Sequence, residues 1–84
     1  MTRYYFDLHE CGRGSVIDDE GAELESLEAA RHHAIAAARG IMAEEVGSGN
    51  LCLGCAITIR DGDGVALMAV PFAEALSITF VDGC

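Results

Sequence analysis

A chain of 84 residues, 51% hydrophobic and 23% charged, has the composition of a globular domain and room for one core rather than two. Its 14 acidic residues against 5 Lys and Arg give a formal net charge of −9, which repels phosphate backbones and excludes direct nucleic-acid binding from the expected functions. No apolar run reaches the roughly 20 residues that cross a bilayer, and the opening Met1-Thr2-Arg3-Tyr4-Tyr5-Phe6-Asp7 turns polar before a signal-peptide core develops, so a cytoplasmic protein with no membrane partner is expected.

Residues 3–9 alternate as a half-buried strand does, with Tyr4, Phe6 and Leu8 toward the core and Arg3, Tyr5, Asp7 and His9 on the other side. Two glycines in Glu10-Cys11-Gly12-Arg13-Gly14 suit a hairpin loop, and residues 15–18 form the return strand. Asp18-Asp19-Glu20-Gly21 breaks the pattern, and residues 22–25 lead into a helix capped by Ser26. The spacing predicts a helix over 26–46, roughly 30 Å long. Leu27, Ala30, Ala34, Ala37, Ala38 and Ile41 make its apolar stripe, widened by Ile35 and Met42, and Gly47 is its stop.

Gly47-Ser48-Gly49-Asn50 is a connector. A second hairpin follows, with strands over 55–60 and 65–70 joined by Asp61-Gly62-Asp63-Gly64. Pro71 ends the second of these strands, because it has no N–H to give a ladder, and Phe72 plugs one end of the core. Residues 76–81 alternate as a last short strand, with 73–75 as a competing helical turn. The fold class is therefore α+β: a single domain over 1–84, in the order β-β-α-β-β, with one long helix on one face of an antiparallel sheet. The sheet has four strands, or five if residues 76–81 form one.

Several features coincide in order: Arg3-Tyr4-Tyr5-Phe6, Asp19-Glu20-Gly21-Ala22-Glu23-Leu24, Leu27-Glu28-Ala29-Ala30-Arg31 with Ala34, then Asp61, Gly64 and Pro71-Phe72. Together they resemble the DUF6894 type of small bacterial proteins of unknown function, to about Ile78. That resemblance supports the same order of elements and implies no activity, cofactor or catalytic residue. The opening hairpin, acidic loop and Ala-rich helix are also loosely similar to the HicB-type antitoxin fold, whose members bind a small toxin. This implies a small basic protein as a partner.

Among chemistry-bearing residues, Cys52-Leu53-Gly54-Cys55 is the sharpest signal, since two thiols at this spacing can grip one metal ion or exchange with a disulfide. A structural zinc needs four ligands, which His9, Cys11 or His32 and His33 would have to complete, and a thioredoxin-like pair begins a helix where a strand follows here. Cys11 in its turn and Cys84 are expected to be accessible to oxidation. Asp61-Gly62-Asp63-Gly64 has the opening of a calcium loop, but its twelfth position is Phe72 where a bidentate Glu is needed, so a hairpin turn is expected. His32 and His33 point in different directions from one helix toward solvent, and His9, beside Arg3 and Tyr5, has no second catalytic group at readable spacing. The stretch 18–28 holds six carboxylates and no base, which makes a solvated helix start or a docking surface for a basic partner.

No nucleophile elbow, P-loop or dinucleotide fingerprint is present, so no enzyme activity and no cofactor are expected. The expected function is a protein-interaction module that forms a homodimer. Residues 65–70 are apolar on both faces, and Tyr5, Ala66, Met68 and Val70 are the expected interface on the sheet surface away from the helix.

Overall fold

The computed structural model describes residues 1–10, 12 and 14–81. The elements run β1 (Thr2–Glu10), β2 (Gly14–Val16), β3 (Ala22–Leu24), α1 (Leu27–Gly47), β4 (Ala56–Arg60) and β5 (Ala66–Pro71), followed by a single helical turn, Phe72–Ala75. This is an α+β fold, with α1 against one face of an antiparallel sheet ordered β2-β1-β4-β5. The long first strand organises it. Its residues Tyr5 to His9 pair with β4, Leu8 to Glu10 with β2, and Thr2 to Tyr4 with β3.

The fifth strand is β3, where the sequence suggested only a lead into the helix. Ala22 and Leu24 are half-buried about an exposed Glu23, an alternation too short to stand out in the sequence. Residues 77–81 form no strand. The helical turn Phe72–Ala75 takes the chain off the sheet first, held by the Phe72 N–H on the Cys55 carbonyl at 2.9 Å and by Arg39 Nε on the Ala75 carbonyl at 2.8 Å.

The helix starts where its cap predicts: Ser26 Oγ accepts the Ala29 N–H at 3.1 Å. Ala30, Ala34 and Ala38 are fully buried and Met42 nearly so, a four-residue spacing that lays one ridge of small side chains along the sheet. Ala37, expected in that stripe, is exposed, because it is turned about 100° from Ala38 around the helix axis. Opposite the ridge lie Tyr4, Ile57, Ile59, Val70 and Phe72. Alanine leaves α1 close to the strands with no slack for added methylenes. Ala34→Leu should therefore lower stability by about 1–3 kcal/mol through overpacking, read as a lower Tm; an unchanged or higher Tm contradicts this placement of the ridge.

Register settles which face of β5 is inside. Val70 pairs with Ile57 and Met68 with Ile59, and directly paired residues share a face of the sheet. Val70 is thus 3% exposed in the core, and Met68 packs against it. Of the expected outward set, Ala66 is exposed and pairs with Arg60 beyond a bulge in the register, whereas Met68 and Val70 are corrected by this: they face α1, while Leu67 and Ala69 are exposed.

Candidate functional site

The centre of the outer sheet surface is a polar clasp rather than an apolar patch. Tyr5 and Arg60 are direct partners across β1 and β4, and Asp7 follows Tyr5 on the same face. The Arg60 guanidinium lies 4.7 Å from the Tyr5 ring centroid, its Nε donates to Asp7 Oδ2 at 2.7 Å, and its Nη2 donates to the Asp18 carbonyl at 2.6 Å. The Asp18 N–H returns to Asp7 Oδ1 at 2.9 Å. Tyr5, expected at an apolar interface, is instead half-buried beneath a cation.

Asp18 joins this clasp to the strands around it. Its Oδ2 accepts the Phe6 N–H at 3.1 Å, and its Oδ1 accepts the N–H groups of Glu20 and Gly21 at 3.0 and 3.1 Å. Gly21 has φ +70°, and a Cβ there would lie 2.8 Å from the Tyr4 carbonyl oxygen, so only glycine fits. Burial alone would raise the Asp7 carboxyl, but the Arg60 hydrogen bond, the Asp18 N–H and the Arg60 charge outweigh it and hold the group below its usual range. Burial likewise opposes ionisation of Asp18, and its backbone donors with Arg60 win there too. With their oxygens satisfied in this way, both carboxylates serve the fold.

The other sequence candidates separate in space. Asp61 Oδ1 accepts the Asp63 and Val65 N–H groups, each at 2.9 Å, which makes a capped hairpin turn. His9 Nδ1 meets Ser15 Oγ at 2.8 Å, His32 Nε2 meets Glu28 Oε1 at 2.9 Å, and the His33 ring lies 4.6 Å from that of Phe6. His33, itself exposed, therefore lies against the half-buried Phe6. Among the described residues no three His, Cys, Asp or Glu side chains gather as metal ligands, and no helix is long and apolar enough to cross a membrane.

Cys52 and Cys55 do converge. They occupy the turn between α1 and β4, with Cys55 buried at 6% exposure, Cys52 half-buried, and 3.1 Å between their sulfurs. Cys11 and Cys84 lie outside the described residues.

A further apolar feature lies where α1 finishes. Met42, Ala43 and Val46 of α1, with Leu51 and Leu76, line an open groove of about 400 Å³ rimmed by Arg39. From Leu76 the chain runs on through residues 77–81, where Ile78, Phe80 and Val81 are 46%, 94% and 60% exposed. No charged residue occurs from Ala75 to Val81. The alternation of residues 76–81 fits a strand, and the competing helical turn at 73–75 is the one that forms.

Comparison with curated proteins and with solved structures found no match to this chain. One family profile does match, over residues 3–73, which spans the clasp, the helix and both hairpins, and the chain therefore belongs to DUF6894, a domain of unknown function.

Proposed function

We propose that this chain is a non-enzymatic interaction module that pairs with a second copy of itself at its apolar end. The observation that carries the reading is Phe80, 94% exposed on an uncharged segment that departs from the rim of an apolar groove. Moving one Phe side chain out of water contributes about 1.5–3 kcal/mol, and Ile78 and Val81 add to it. In a two-fold pair each copy gives residues 77–81 to the other's groove and receives the same segment in return. Such an exchange is closed and stops at two chains.

Charge sets the expected salt response. Two copies, each carrying −9, repel one another, so an apolar contact between them tightens as salt screens that repulsion. A basic partner held on the acidic stretch 18–28, as in a toxin-neutralising role, weakens under the same change.

Light scattering at micromolar concentration tests the reading. The expected mass is twice the 8.8 kDa of one chain, rising toward complete pairing from low to high salt, with Phe80→Asp returning the single-chain value. Particles of 8.8 kDa at every salt concentration contradict self-association.

A further inference from the structure

We infer that Cys52 and Cys55 form a dithiol site that low-molecular-weight disulfides oxidise to a reversible intramolecular disulfide. The sulfurs are 3.1 Å apart, about 1 Å longer than the covalent bond of about 2.05 Å, so closure needs little movement of the turn. Their exposures differ in the direction that orders the steps. Cys52 is half-buried and can be reached from solvent, whereas Cys55 at 6% exposure sits behind it.

The Cys52 thiolate attacks one sulfur of the small disulfide, forming a mixed disulfide and expelling one small thiolate. The Cys55 thiolate then attacks Cys52 Sγ, forming the Cys52–Cys55 bond and expelling the second. The two protons lost by the protein thiols end on the two small thiols, and one disulfide is reduced for one formed. The exchange is reversible, since excess small thiolate attacks the more exposed Cys52 side of the bond and returns both cysteines to thiols with formation of the small disulfide.

The location gives the bond a structural consequence. The Cys55 carbonyl holds the Phe72 N–H at 2.9 Å, and Leu51, next to Cys52, lines the apolar groove. Linking the two cysteines fixes the turn that carries both contacts.

The test uses the full reduced chain and oxidised glutathione as the probe, followed by alkylation, digestion and mass mapping. The expected product is a single link between Cys52 and Cys55 with the loss of two hydrogens, reversed by reduced glutathione. Cys55→Ser should stop at the mixed disulfide on Cys52, because the resolving thiol is gone, while Cys52→Ser gains no adduct at Cys55. Complete alkylation of both cysteines after treatment, a link from either one to Cys11 or Cys84, or a Cys55→Ser chain without adduct each overturns the assignment. The readout is a mass on one chain, so it does not depend on whether two copies pair.

Discussion

Phe72→Ala should remove a large share of the protein's stability, read as a much lower urea midpoint. Phe72 is fully buried, and with Ile59 it is among the largest side chains so placed. Deleting a buried Phe side chain to Ala costs about 3–5 kcal/mol, transfer and cavity together. A domain of 84 residues has about 4–13 kcal/mol of total stability, so one truncation removes much of it. The site cannot collapse easily, because Phe72 starts a helical turn pinned at both ends, by its own N–H on Cys55 and by Arg39 on Ala75. Urea unfolding is the measurement. Phe72→Leu, which keeps most of the volume, should retain a cooperative transition, and a Phe72→Ala midpoint close to the parent's contradicts this position in the core.

The second large effect is expected at the clasp. Arg60→Met keeps an unbranched apolar stem and removes the guanidinium, leaving Asp7, 6% exposed, with its charge and without its ion-pair partner. At neutral pH a fall of several degrees in Tm is expected for a chain of this size. The pH dependence gives an independent reading. In the parent, Asp7 and Asp18 are both held below their ordinary value near 3.8, so their stabilising contribution is whole above that value. It is lost as pH falls from about 3.8 through the lowered folded-state values. In Arg60→Met, burial acts on Asp7 with the main opposing interaction gone, so protonation relieves a penalty and the gap to the parent narrows in acid. A Tm difference that stays constant from pH 7 to pH 3 contradicts the role given to Arg60, whereas convergence in acid supports it.

The same interactions explain what was legible in the sequence. The helix was, because its cap, its four-residue ridge and its length are local signals; so were both hairpins, whose turns carry their own chemistry in Gly14, Asp61 and Gly64. The clasp was not, since Asp7 and Arg60 are 53 residues apart and only the register of β1 on β4 brings them together. An Asp on the outer side of β1 and an Arg ending a later strand were the available signal. The face of β5 was undetermined for a different reason. Both of its faces are apolar in sequence, so hydrophobic alternation could not choose between them, and pairing with β4 did. Residues 77–81 carry strand periodicity without becoming a strand. That pattern marks a segment able to lie against an apolar surface, and the sequence does not say whose.

The occupant of the groove is therefore the point on which the functional account rests. The direct measurement places the photoreactive analogue p-benzoylphenylalanine at position 80, mixes that chain with a heavy-isotope copy of the parent, irradiates, and maps the crosslinked peptides. The account predicts links from position 80 to heavy-isotope peptides containing Val46 or Leu51. Links confined to the light chain, or none to either copy, contradict the exchange.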